Sequence, residues 1–490
     1  MDYLSNAKVE KVDRPVRVLQ FGEGNFLRAF ADYMIDVANE KGYFNGDVII
    51  AKPIPTLGNY ETFKKQDNRY TVALRGVVQG KESVEYRVIT SIADMVLPYE
   101  DYQNYAKLAS LDTLRFVISN TTEAGIVYDE TDRFEFEPPK SYPGKFTKFL
   151  YERYKYFHGD VEKGLIILPV ELIDNNGSQL KSIVRKLSEL WGLEPEFLQW
   201  VEDSCIFCNT LVDRIVTGFP KDEAESIWEK LGYKDELLVA CEPFGLWVIE
   251  SKQSIEEEFP LHKAGMPVLF TNDMSPYRTR KVRILNGAHT SFSLASFLAG
   301  NNYVLESMQD EVVNEFIHKS IYDEIIPTLD LPKEELLSFA AAVKDRFENP
   351  YNKHALLSIS LNSVSKWKVR VLPSVLEYRE RYGALPNYLT FSLAALIQFY
   401  SGYELRDGAL IAKRGDEEYS ILDDKAILEF FHSNAGEETE TLVTRVLARE
   451  DFWDQNLNDV PGMTDKVTGY LKAIRKDGLR NAMKSIEANK

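Results

Sequence analysis

Residues 16–39 read VRVLQFGEGNFLRAFADYMIDVAN. The opening six are mostly apolar or β-branched and stop at Gly22, and from Phe26 to Asn39 the apolar residues recur at helical spacing. The stretch therefore predicts a strand, a tight glycine turn and a helix. In that context Gly22-Glu23-Gly24 allows a backbone to approach a pyrophosphate while the helix N-terminus faces its charge. The third glycine of the usual fingerprint is replaced by Leu27, and a ligand-free turn also selects glycine, but the order of elements favours a dinucleotide. No G-K-[ST] comes after it, so a P-loop is excluded.

Outward from this turn, further strand candidates are Val48–Ala51, Leu114–Ser119 and Leu165–Val170, with helical patterns at Asn104–Ser110 and Gln179–Leu190. Short buried strands alternating with helices predict a parallel, doubly wound α/β sheet. The Pro/Gly/charge-rich stretches Tyr128–Gly144 and Ser251–Gly265 read as surface excursions. Beyond about Asp273 the strand signal fades, and helical spacing takes over, as in Glu334–Arg346 and Tyr388–Ser401. The expected architecture is a Rossmann-like α/β domain over residues 1–273 followed by a mainly α-helical domain over 274–490.

Composition narrows the partners. The 490 residues carry 58 Lys+Arg against 76 Asp+Glu, and the net charge of -18 repels phosphate backbones and anionic lipid surfaces. Nucleic acid and membrane are thus excluded as expected partners, and 44% hydrophobic with 27% charged residues is the balance of a soluble globular protein. The start, MDYLSNAKVEKVDRP, lacks the apolar core of a signal peptide. Cys205, Cys208 and Cys241 cannot build a disulfide framework, so a reducing, cytoplasmic setting is expected. Cys205 and Cys208 form a C-x-x-C with no second pair at zinc spacing, and no metal site is assigned.

The most chemically loaded run is Tyr277-Arg278-Thr279-Arg280-Lys281-Val282-Arg283-Ile284-Leu285-Asn286-Gly287-Ala288-His289. At about 100° per residue from Lys281, His289 falls near 80° and Asn286 near 140°, one sector shared with Val282 and Leu285. An amine, an amide and an imidazole among apolar groups suit a cleft floor. A basic surface helix ending at the Asn286-Gly287 turn signal fits the window equally well.

Lys281-x4-Asn286-x2-His289 after a Rossmann-type domain resembles the signature of the mannitol dehydrogenase family, the metal-independent long-chain polyol dehydrogenases. The resemblance runs along nearly the whole chain, through FGEGNFLRAF (21–30), NTTEAGI (120–126), NTLVDRIVTGFP (209–220), CEPFGLWVIE (241–250) and RFENPYNKHALLSISLNSVSKWKVRVLP (346–373). ELIDNNG (171–177), NTTEAGI and LNSVSKWKVRVLPS most resemble the family's ketouronate-reducing branch. The resemblance implies a reversible, NAD(H)-dependent oxidoreductase acting on a small sugar acid, tagaturonate to altronate foremost. Fructuronate (mannonate) or a mannitol-type polyol is the alternative within the class, and a non-catalytic nucleotide sensor is the alternative outside it. The oligomeric state is left open.

It also implies roles. Lys281 would be the general acid/base, its pKa lowered by burial and by Arg278, Arg280 and Arg283, with Asn286 stabilising the oxyanion and His289 holding a neighbouring hydroxyl. Gly22, Gly24, Asn25, Phe26, Asn120 and Glu123 are the candidate cofactor contacts. Where an acid usually closes the second strand to hold the adenosine ribose, the chain reads Ala51-Lys52-Pro53. NAD against NADP is therefore open from the residues, and Lys52 is either a solvated charge or a neighbour of that ribose. Polyol enzymes of the family carry a Cys-Asp-Asn-type segment where this chain reads Val170-Glu171-Leu172, leaving Asn176 as the nearest amide. They also carry a glutamate where this chain has Arg278, whose guanidinium fork suits a uronate carboxylate. Lys353, His354, Lys366 and Lys368 could complete a cationic substrate pocket, or lie on an exposed basic face.

Overall fold

The computed structural model describes residues 1–5, 8–121 and 125–486. The chain divides into two compact units, one formed by Met1–Arg75 with Ser83–Met274, the other by Gly76–Glu82 with Ser275 onward.

The first unit is built on six parallel strands: β1 (Val16–Phe21), β2 (Asp47–Ala51), β3 (Ile92–Val96), β4 (Phe116–Ser119), β5 (Ile166–Pro169) and β6 (Ile206–Phe207), in the spatial order β3-β2-β1-β4-β5-β6. That is the order of a dinucleotide-binding sheet, with its topological switch between β1 and β4. Apolar β-branched runs suit it because helices cover both faces. Val18, Ile50, Phe116 and Ile118 pack with Met34, Ile35 and Ala38 of the helix Ala31–Glu40 on one side. Leu19, Phe21, Val117 and Ile167 pack on the other with the helices Tyr142–Tyr156 and Asn176–Leu190. β3 and the two-residue β6 were not legible in the sequence. Nor were two smaller sheets, one containing the hairpin Tyr70–Val78/Lys81–Ile89, the other made of Asn209–Asp213, Leu246–Glu250 and Val268–Thr271.

Both surface excursions carry exposed residues along their length and are anchored to the core by a few buried ones. Asp132 is fully buried and accepts hydrogen bonds from the amides of Lys140 (2.7 Å) and Ser141 (2.9 Å), which ties the 128–144 stretch down. Ile255, Phe259 and Leu261 are buried, with Phe259 packed on Phe116 and Trp247. Asp32, on the helix Ala31–Glu40, is buried too; it accepts from Tyr70 Oη at 2.8 Å, and burial raises its pKa to about 7.

The second unit is mainly helical. Two apolar helices, Ala288–Leu298 and Asn387–Phe399, are buried along most of their length and pack against each other, as helices hydrophobic on every face must. A three-stranded antiparallel sheet, Glu404–Arg406, Ala409–Arg414 and Glu417–Ile421, is the unit's exception to helix. The hairpin tip Gly76–Glu82 belongs here, the amides of Gln79 (2.7 Å) and Gly80 (3.1 Å) donating to the Asp345 carboxylate. Among the described residues no helix is long and apolar enough to cross a membrane.

Candidate active site

At the end of β1 the backbone turns at Gly22 with φ +114°, and a Cβ there would stand 3.1 Å from the carbonyl oxygen of Asn120 after β4. Only glycine meets both demands. Gly24 has ordinary extended dihedrals and open space where a Cβ would be, so its bare backbone faces outward at the start of the short helix Asn25–Ala29. Arg28 staples the turn from behind: Nε donates to the Glu23 carbonyl at 3.2 Å, Nη2 to Asn25 Oδ1 at 2.7 Å, and Nη1 to the Leu237 carbonyl. Sequence reasoning gave Arg28 no role.

In front of the turn lies a cavity of about 1040 Å³ lined by Gly22, Glu23, Gly24, Asn25, Lys52 and Asn120, among others. It opens at the carboxyl ends of β1, β2 and β4, where sheets of this order hold a dinucleotide, and the uncluttered face of Gly24 fits a pyrophosphate. Seven of the 128–144 residues, Tyr128 to Thr131 and Lys140 to Tyr142, also line it. Of the expected cofactor contacts, Phe26 is not among the lining residues: its ring stacks on Phe30 (centroids 4.8 Å apart) and packs against the core. Glu123 lies outside the described residues. Lys52 is no solvated charge, being 3% exposed and ion-paired to Glu23.

Asn176 is a correction. It is fully buried; Nδ2 donates to the carbonyls of Pro169, Glu171 and Thr210, and Oδ1 accepts from the amides of Gly177 and Thr210 at 2.9 Å. With every donor and acceptor engaged by protein, it has none to offer a substrate. Its neighbour Glu171 is equally internal, holding Ser119 Oγ (3.1 Å) and the amide and hydroxyl of Thr121 (both 3.0 Å).

In the second unit the helix Ser275–Arg280 runs into a π-helix over Lys281–Gly287 and continues as Ala288–Leu298. The α-helical wheel therefore misplaces these residues: i→i+5 winding sets Asn286 one turn beyond Lys281, on the same side. Such segments occur preferentially at functional sites. Arg280 and Arg283 are engaged elsewhere, Arg280 with Glu335 and over the Phe339 ring, Arg283 donating to Ser374 Oγ at 2.9 Å. Glu335 offsets the Arg280 charge that was expected to act on Lys281. Arg278 is half-buried on the first helix.

His289 has its Nε2 buried without a hydrogen-bond partner, and its ring lies 4.4 Å from Phe347 and 5.3 Å from His354. Burial, then the charges of His354, Arg346, Arg370 and Lys366, hold its pKa well below the usual value. The imidazole is thus neutral, with one nitrogen buried and without a hydrogen-bond partner. The cations come largely from the helix Ser363–Arg370, which packs on the π-helix, Gly287 admitting the carbonyl of Arg370 within 3.0 Å of its Cβ position. Lys366 and Arg370, four apart, share a face. Lys366 Nζ donates to the Ile359 carbonyl at 2.9 Å, and its pKa is lowered by burial and by Arg370. Arg370 is half-buried and has no hydrogen-bond or ion-pair partner among the described residues. Sequence reasoning singled out Lys366 and Lys368 from this basic run and passed over Arg370. Lys353 is exposed, and Lys368 pairs with Asp454 at 3.0 Å. Among the described residues no three His, Cys, Asp or Glu side chains gather as a metal-binding group.

Residues 16–263 match the model of the mannitol dehydrogenase Rossmann domain and residues 273–475 that of the mannitol dehydrogenase C-terminal domain. The chain is 44% identical to an altronate oxidoreductase of Shigella flexneri over 479 residues, covering 96% of this chain and 97% of the relative. The figures are the same for an altronate oxidoreductase of Escherichia coli O7:K1. Among solved structures, a D-sorbitol dehydrogenase in substrate-free form superposes with TM-score 0.79 at 21% identity, covering 99% of this chain and 100% of that one. Pseudomonas fluorescens mannitol 2-dehydrogenase in ternary complex with NAD and D-mannitol gives 0.67 at 20% identity, with complete coverage of both chains. At these identities the superpositions speak for the fold.

Proposed function

The chain belongs to the mannitol dehydrogenase family, and from that membership we propose that it is an NAD(H)-dependent ketouronate reductase interconverting tagaturonate and altronate. The observation that carries the substrate class is the set of cations around a neutral His289, with the half-buried Arg370 lacking any acid of its own. A buried cation without a counter-charge is costly, and a sugar carboxylate supplies one. The full-length relatives named altronate oxidoreductase support the same class.

When bound, the nicotinamide supplies or accepts the hydride. Gly22, Gly24, Asn25 and Asn120 would hold the dinucleotide, Gly24 giving its bare backbone to the pyrophosphate. In reduction the Lys281 ammonium gives its proton to the oxygen that gains charge as the carbonyl carbon is reduced. In oxidation the neutral amine takes the hydroxyl proton. Asn286, one π turn away, donates a hydrogen bond to that oxygen, and its amide dipole acts where charge develops. His289, neutral, offers Nε2 to an adjacent hydroxyl, which would satisfy the one buried atom of the ring left without a partner. Arg370 and Lys366, with Arg278 as the other candidate, would hold the carboxylate.

The test is NADH consumption with tagaturonate, fructuronate and fructose supplied separately. Turnover of tagaturonate well above the other two is expected. Reduction of fructose in preference to both ketouronates would overturn the substrate class.

A further inference from the structure

The second strand of this chain ends in a lysine where the ribose-binding acid usually stands, which leaves the adenosine ribose without an obvious partner. The structure offers another carboxylate. Lys52 folds back from the end of β2, and its ammonium pairs with Oε1 of Glu23, the middle residue of the glycine turn. Both are buried, at 3% and 9% exposure, and both line the cavity in front of the turn. Gly58, with φ +54°, closes over the pair so tightly that a Cβ would collide with the Glu23 carboxylate and the Lys52 ammonium together. Ile54 and Asn59, on either side of Gly58 in sequence, also line the cavity. The second carboxylate oxygen of Glu23, Oε2, has no hydrogen-bond partner among the described residues, nor is it a buried orphan atom. It is accessible, on a residue that lines the cavity.

We propose that Glu23, supplied by the glycine turn, is the acid that recognises the adenosine ribose diol, and that Lys52 positions it and does not receive a 2′-phosphate. The inference rests on dinucleotide binding in this cavity. A carboxylate with one oxygen anchored and the other available accepts a ribose hydroxyl as the usual strand-end acid does. A 2′-phosphate brought to the same place would meet that carboxylate's negative charge, while the nearest cation is already neutralised. The cofactor selected is thus the unphosphorylated one, from a sequence whose strand end suggests tolerance of the other.

The experiment measures equilibrium binding of NADH and NADPH to the full chain by nucleotide fluorescence, for wild type, Glu23→Gln and Lys52→Met, each first checked for a native circular dichroism spectrum. Wild type is expected to bind NADH at least about tenfold more tightly than NADPH. Glu23→Gln removes the repelling charge and frees the Lys52 ammonium, so the preference should fall by about tenfold or more, NADPH binding tighter than before. Lys52→Met leaves the carboxylate unanchored; NADH binding weakens and NADPH binding stays poor. An unchanged NADH/NADPH ratio in Glu23→Gln overturns the inference and leaves dinucleotide binding standing, whereas wild type that binds neither nucleotide overturns dinucleotide binding itself. Should Glu23→Gln fail to fold, Lys52→Met decides alone: tighter NADPH binding in that variant would also refute the assignment.

Discussion

Replacing Arg370 by methionine keeps an unbranched, flexible chain of similar reach and removes the charge. At an effective dielectric constant of about 20, two unit charges about 4 Å apart attract by roughly 4 kcal/mol. The guanidinium is only half-buried, so solvent screens part of this, and Lys366, on the same helix face, retains some of the field. What remains is about 2–3 kcal/mol, or roughly 30- to 150-fold in kcat/KM for a ketouronate. An uncharged ketose has nothing for Arg370 to bind, so its kcat/KM should be unchanged or slightly raised. The assay is initial-rate NADH consumption with tagaturonate and with fructose, on wild type, Arg370→Met and Arg278→Met. A large loss confined to tagaturonate in Arg370→Met, with a smaller one in Arg278→Met, is the expected result. Equal losses on both substrates would refute the argument, because Arg370 would then serve the helix packing or the Lys281–His289 region in general. A loss confined to tagaturonate in Arg278→Met alone would move the carboxylate to the helix preceding Lys281.

Lys281→Ala should lower kcat by at least about a hundredfold while leaving the NADH dissociation constant near wild type, because a general acid/base acts in the transition state; a folded variant within about tenfold of wild-type kcat would remove Lys281 from the mechanism. Activity should survive exhaustive dialysis against EDTA, since a lysine supplies the proton chemistry; loss of activity restored by added zinc would contradict the mechanism itself. Asp32, whose pKa is raised to about 7 by burial, contributes stability that is fully present below its unfolded value near 3.8 and lost as pH rises through 7. Asp32→Asn should therefore raise the unfolding midpoint at pH 8 by an amount corresponding to about 1–3 kcal/mol, the charge penalty less the cost of one unpaired buried N–H, and give no gain near pH 4. A gain of equal size at both pH values would mean that the carboxyl does not titrate in that range.

The range of each interaction decided whether it could be read from the sequence. β1 and the glycine turn were legible because strand, Gly22 and helix are adjacent in the chain and each is dictated locally. The hairpin strand Tyr70–Val78 gains its place by pairing with Val239–Cys241, a contact more than 160 residues away that no local pattern announces. Lys281, Asn286 and His289 were legible as residue types, but an apolar rhythm does not distinguish α from π winding over seven residues. Glu23 and Lys52 are 29 positions apart, and their pairing is visible only once β1 and β2 lie side by side. Asn176 shows the converse: an Asn-Gly that looks like a turn or a ligand is an internal brace with no valence left over.

The π-helix over Lys281–Gly287 makes spacing as much a requirement here as side-chain identity. A π segment amounts to an α-helix carrying a surplus residue, so deleting Val282 or Ile284 would let ordinary i→i+4 hydrogen bonds close throughout. Lys281 and Asn286 would then be an i,i+4 pair, about 40° apart about the axis and still on one side. Closing the full-length segment as an uninterrupted α-helix would instead set Asn286 about 140° from Lys281, on another face. The spacing of Lys281 and Asn286 is thus matched to the wide winding, and at the present length what separates the two is closure of the segment as α-helix.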